Sequence, residues 1–302
     1  MTRLTGVVPI LFVPFDDDGN LDEERLRRVV RFELEGGVDG IGINGFASEA
    51  YKLSDDERKR TVEIVASEVA GQVPLVIGIA PGSTEVAIRQ AKDFAKYQPA
   101  CLMVLPPSIM DNGPEALVKH YLDLANVSES PVMVQQSPHI PAYKQCLLSA
   151  EHLANLATHD TLRYFKIEGP GAPERMAALR PLIPDTVGLF GGVGGITFID
   201  ELNAGAAGVI PGVGFNEVFV QSWAAWQKGD VTEVKRVLEH HQPLVQAVSG
   251  PGHEFSLHAR KQLMHRLGII KTPYVRQPTV SKPDVSKVLA TADHYQLRIS
   301  RR

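Results

Sequence analysis

The chain has 302 residues, of which 44% are hydrophobic and 22% charged, and its formal net charge is -4. This is an ordinary globular composition that excludes disorder and fibrous repeats, and the slight acidity argues against a broad nucleic-acid footprint. Two cysteines, Cys101 and Cys146, are too few for a disulfide scaffold in a chain of this size, so a reducing cytoplasm is the expected location.

The opening segment Met1 to Gly6 carries a single basic residue and runs into Val7 to Phe12, which reads as a first strand and not as a signal peptide. Further strands are expected at Gly40 to Asn44, Leu75 to Ile79, Leu102 to Leu105, Val132 to Gln135, Leu162 to Ile167, Val187 to Phe190 and Gly208 to Ile210. Amphipathic helical patterns lie between them. Asp22 to Leu34 opens with acidic residues, and Asp55 to Val69 follows Ser54, with Glu57 three positions on as a capping box. From about Val231 onward the pattern is helical, with Val231 to Val248, Phe255 to Leu267 and a short segment near Asp284 to Ala292, interrupted by the Pro-rich stretch Pro273 to Pro278. No apolar run approaches the roughly 18 residues that a membrane span needs. Eight strand-helix repeats predict a (β/α)8 TIM barrel at residues 1-228 and a C-terminal helical extension at residues 229-302, an open doubly wound sheet being the alternative.

In such a barrel the chemistry sits where the strands end. Lys166 lies inside the mostly apolar run Leu162 to Ile167, and it is the only lysine at any of the expected strand ends. Alternation places Tyr164, Lys166 and Glu168 on one face. Desolvation favours a neutral amine, as Schiff-base chemistry requires, and a carboxylate two residues on is placed to move protons. A plain salt bridge at a strand end is the competing reading. Glycine-rich turns follow strands seven and eight, Gly191 to Gly195 and Pro211 to Gly214, and fit either a phosphate cradle or tight turns; neither carries a lysine or arginine. The ten histidines form no HExxH, and His240, His241, His253 and His258 read as solvated positions in the helical tail. No GxGxxG opens a helix and no GxSxG elbow is present, so neither a metal nor a cofactor is expected.

Several segments resemble the dihydrodipicolinate synthase and N-acetylneuraminate lyase family. Phe15 to Asp22 is similar to its opening PFxxDGxxD, Gly45 to Ser54 to its GTTGExxxLS segment, Tyr164 to Glu168 to its Schiff-base strand and Ala207 to Ile210 to its eighth strand. The resemblance implies a Schiff-base lyase on a (β/α)8 barrel, acting on a small-molecule 2-oxo acid and assembled as a homotetramer or dimer, with no nucleic-acid or membrane partner. Lys166 would form the imine. Ala47 and Ser48 would hold the substrate carboxylate, and Gln135, Gly192 and Ile210 would line the pocket. Departures from the pattern are informative. Gln135 stands where members that make dihydrodipicolinate or cleave neuraminate have a proton-relaying tyrosine, Phe46 and Ala47 replace paired threonines, Ser108 and Ile109 replace an aromatic pair, and no arginine follows Pro138 shortly. An amide is a poor acid or base. Glu168 therefore becomes the proton carrier, in a lysine-x-glutamate arrangement similar to that of members dehydrating 2-keto-3-deoxy sugar acids. Dehydration is the expected reaction; pyruvate-dependent aldol cleavage, a condensation like that making dihydrodipicolinate, and a non-catalytic 2-oxo-acid binder are the alternatives.

Overall fold

Parallel strands and helices alternate along the chain in the computed structural model, which describes residues 3–109, 111–280 and 282–300. Met1 and Thr2, part of the opening segment read above, lie outside these. The strands are β1 (Gly6–Val7), β2 (Ile41–Ile43), β3 (Leu75–Ile79), β4 (Cys101–Val104), β5 (Val132–Gln136), β6 (Leu162–Ile167), β7 (Gly188–Gly191) and β8 (Gly208–Val209). The contacts group the chain into two units.

The first unit comprises Met1–Thr5, Pro74–Gly192 and Thr197–Ile210. Here β3 to β8 pair in chain order, every pair parallel, with Gln135 opposite Lys166 and Lys166 opposite Phe190. β3, β4 and β5 are buried along their whole length, as expected of parallel strands covered on both faces. That is why β3 and β4 read as continuous apolar runs, whereas β5 ends in Gln135 and Gln136. Both cysteines are buried free thiols in this unit, and Ile109, on the loop after β4, is 84% exposed.

The second unit comprises Gly6–Val73, Val193–Ile196 and Pro211–Arg302. β1 is shorter than the expected Val7 to Phe12. Pro9 has no amide hydrogen to give a ladder, and pairing resumes only at Ile10, which bridges Gly42 on one side and Gly212 on the other. The helix Asp55–Val69 begins with the expected box: Ser54 Oγ accepts from the Glu57 amide at 3.2 Å, and Glu57 Oε2 accepts from the Ser54 amide at 2.9 Å. The tail forms the helices Val231–Ser249, His253–Arg266 and Ser286–Asp293. His258 departs from the solvated reading: it is buried, with Nε2 3.0 Å from Thr279 Oγ1.

A closed ion cluster lies in this second unit. Lys261, fully buried, donates to Glu49 Oε1 at 2.5 Å and to the Tyr274 carbonyl at 2.8 Å, with its ammonium 4.5 Å from the Phe15 ring centroid. Glu49 Oε2 accepts from the Arg276 amide at 3.0 Å and from Lys52 Nζ at 3.3 Å. Burial pushes the Lys261 amine down to about 8 against the pull of Glu49. Both carboxylate oxygens and the amine have partners, so nothing in the cluster is left to bind a ligand. No helix among the described residues is long and apolar enough to cross a membrane.

Candidate active site

β6 buries Lys166: five of its six residues are buried, with Arg163 the exposed one. Lys166 and its register partner Gln135 are 5% and 1% exposed, and Glu168, the first residue past the strand, is 4% exposed. Lys166 Nζ lies 3.1 Å from Glu168 Oε2. The other carboxylate oxygen, Oε1, accepts from Ser137 Oγ at 2.5 Å and from Gln135 Nε2 at 2.8 Å, and the same amide nitrogen lies 3.0 Å from Ser137 Oγ. An ionised carboxylate only accepts, which fixes the Gln135 amide with its NH2 toward Glu168. Its carbonyl oxygen is thereby turned away and has no hydrogen-bond partner.

The charge on Glu168 follows from these neighbours. Burial alone would raise its pKa, but the Lys166 and His139 charges and the hydrogen bonds from Ser137 and Gln135 outweigh it and hold the carboxyl down to about 2. His139, on the loop after β5, packs against Gly169, and its Nδ1 is buried without a partner. Burial lowers its pKa against the attraction of Glu168. A buried amine, an anionic carboxylate and two unpartnered polar atoms, one on β5 and one on the loop after it, make a site that can attack a carbonyl, shuttle a proton and accept a hydrogen bond from a polar ligand.

Of the residues singled out from sequence, the first unit brings Lys166, Glu168, Gln135 and Gly192 together. A Cβ at Gly192 would stand 2.0 Å from Glu168 Oε2, so only glycine leaves room for that carboxylate. The glycine turn after β7 therefore houses an anion of the protein itself, which is at odds with a phosphate cradle. Ile210 is buried, and its amide donates to Gly191 O at 3.0 Å, beside Gly192. Ala47 and Ser48 belong to the second unit, in the 3-10 turn Phe46–Ser48, where Ser48 Oγ donates to Leu11 O at 2.5 Å and its amide to Gly45 O at 3.1 Å. Both Ser48 donors are thus engaged. Sequence reading did not assign Ser137 or His139; the signal available was their place on the loop directly after β5, beside Gln135. No group of three or more His, Cys, Asp or Glu among the described residues is arranged to hold a metal ion.

Residues 3–292 match the model of the dihydrodipicolinate synthetase family. The chain is 30% identical over 281 residues to an L-2-keto-3-deoxyarabonate dehydratase of Azospirillum brasilense, covering 91% of this chain and 89% of the relative. It is likewise 30% identical over 281 residues to an N-acetylneuraminate lyase of Citrobacter koseri, covering 91% of both. A dihydrodipicolinate synthase structure from Thermotoga maritima superposes with a TM-score of 0.86 at 22% identity, over 97% of this chain and 99% of that one. The fold is accordingly the (β/α)8 barrel with C-terminal helices expected from the strand-helix repeats. The chain belongs to the dihydrodipicolinate synthetase family and is an enzyme, a lyase of the class I type that includes both aldolases and dehydratases.

Proposed function

We propose that the enzyme dehydrates a 2-keto-3-deoxy sugar acid through an imine on Lys166. The observation that carries this reading is the contact of Lys166 Nζ with Glu168 Oε2 at 3.1 Å, with Gln135 and Ser137 on the other oxygen and no phenol among these partners. Lys166 adds to the C2 ketone and the carbinolamine loses water, giving a cationic iminium. Glu168 then removes a C3 proton, and the electron pair moves into a neutral enamine. At that point the positive charge that kept Glu168 acidic is gone, and burial makes the carboxyl hold its proton. Departure of the C4 hydroxyl takes that proton away as water and restores a cationic, conjugated iminium, so Glu168 returns to its anionic state. Hydrolysis frees the product and the amine. The net change is loss of one water from the substrate, with Lys166 and Glu168 alternating charge at each step.

The family motif supports the Ala47 and Ser48 segment as the holder of the substrate carboxylate, which requires the Ser48 hydroxyl to turn from Leu11 O. The free Gln135 carbonyl supports a hydroxylated substrate, because it needs a donor. Gly192 and Ile210 complete the lining in this reading. The relative named as a dehydratase supports the reaction, and the one named as a neuraminate lyase supplies its rival. Two buried free thiols support a reducing cytoplasm as the compartment. Self-association as a dimer or tetramer is part of the same reading and is checked by light scattering. The decisive experiment incubates the protein with a 2-keto-3-deoxypentonate: loss of water without pyruvate is expected, pyruvate release means aldol cleavage, and a borohydride-trapped adduct on Lys166 with no turnover means a binder.

A further inference from the structure

A second carboxyl lies close to the Lys166–Glu168 pair, and the steps above do not use it. Glu201 stands on the short helix Phe198–Asn203 and is 1% exposed, between the buried apolar residues Phe198 and Leu202. A Cβ at Gly191 would lie 1.7 Å from Glu201 Oε2, just as one at Gly192 would lie 2.0 Å from Glu168 Oε2. Consecutive residues of an extended chain face opposite ways, so the two carboxyls clasp the Gly191–Gly192 link from its two sides. The polar surroundings of Glu201 are sparse. Thr197 Oγ1 donates to Oε1 at 2.9 Å, the Gly192 amide faces the group, and Oε2 has no hydrogen-bond partner within bonding geometry. The charged groups acting on it are Glu168 across the glycine link and Asp200 on its own helix, both anionic. A buried carboxylate without a cation is far more costly than a buried neutral carboxylic acid.

We propose that Glu201 is a positioning residue for the Lys166–Glu168 pair: it works in its protonated form, filling the space against Gly191 as a neutral acid and keeping a second negative charge away from Glu168. Burial, with Glu168 adding to it, raises the Glu201 carboxyl to about 8, in keeping with this geometry. Ionisation above that pH places two like charges on either side of one peptide link. Glu168 then binds its proton more tightly. The enzyme should lose activity on the alkaline side for a reason lodged in a residue that never touches substrate.

The inference about activity rests on the reading given under Proposed function, but the proton on Glu201 does not, so the two are tested apart. Infrared difference spectra of wild type against E201Q, without substrate, should show a protonated-carboxyl C=O band in wild type below pH about 8 that E201Q lacks. Absence of that band overturns the proposal whatever the enzyme turns over. With substrate, E201A should lower kcat on the order of ten- to a hundredfold by loosening the glycine link, and E201Q should restore most of it. The alkaline limb of the wild-type profile should move upward or vanish in E201Q. An alkaline limb that stays in place in E201Q sinks the proposal. If no 2-oxo acid is turned over, the dehydratase reading fails while the band still decides the state of Glu201.

Discussion

Two buried lysine–glutamate pairs occur in this chain, and they have opposite characters. Lys261 and Glu49, in the second unit, are both fully buried, and each polar atom of the pair has a partner. Lys166 and Glu168, in the first unit, are nearly as buried, yet unpartnered atoms stand around them on Gln135, His139 and Glu201. Burial of an ion pair is therefore a poor sign of chemistry by itself. What distinguishes these two pairs is the unfilled hydrogen-bonding capacity nearby, which on Gln135 and His139 a ligand can complete.

The sharpest way to break the comparison is to remove each lysine. K166M should abolish both turnover and borohydride trapping while leaving the fold intact; K261M should keep trapping but cost about 3–5 kcal/mol of stability, as breaking a saturated buried pair does. Mass spectrometry of trapped protein and denaturant melts read the two outcomes, and trapping in K166M would end the proposed mechanism. E168Q comes next. It should retain the trapped adduct and lose on the order of 10²–10⁴ in kcat, as expected of a lost acid–base group. Smaller again, S137A removes a hydrogen bond that favours the anionic Glu168, so kcat should fall about tenfold or less and the Glu168 carboxyl should titrate above its present value of about 2.

The mildest test concerns a fourth buried carboxyl, Glu33, which accepts from the Gly214 amide at 2.9 Å and from Asn216 Nδ2 at 2.8 Å. Burial raises it from the usual 4.5 to about 7 despite those donors. Its contribution to stability is full below the unfolded value near 4.5 and is lost as pH rises through 7, a swing of about 3 kcal/mol. E33Q should flatten the pH dependence of the melting temperature between those limits, and an unchanged slope would mean that other groups dominate it.

Sequence reading reached the parts of the molecule governed by local rules. The Ser54–Glu57 box and the burial of Lys166 within a mostly apolar run follow from near neighbours in the chain, and the structure has both. The length of β1 was misjudged because apolar content at Val7 to Phe12 hides the missing amide of Pro9. Ser137 and His139 were out of reach for a different reason. They matter through contacts with Glu168 and Gly169, some thirty residues further on, and nothing in a linear pattern reports which loop side chains a parallel register will bring to a neighbouring strand end. The same limit hid the burial of His258, whose partner is Thr279.

The two thiols illustrate how a structural detail becomes an experimental handle. Cys101 is wholly enclosed and Cys146 is 8% exposed, and burial raises the pKa of both, so neither should react readily with alkylating probes in the folded protein. Ile109, by contrast, projects into water beside the strand-end loops of its unit. An I109C protein would accept a fluorescent label at one address without any prior removal of native cysteines, and stopped-flow emission could then time substrate arrival separately from bond breaking.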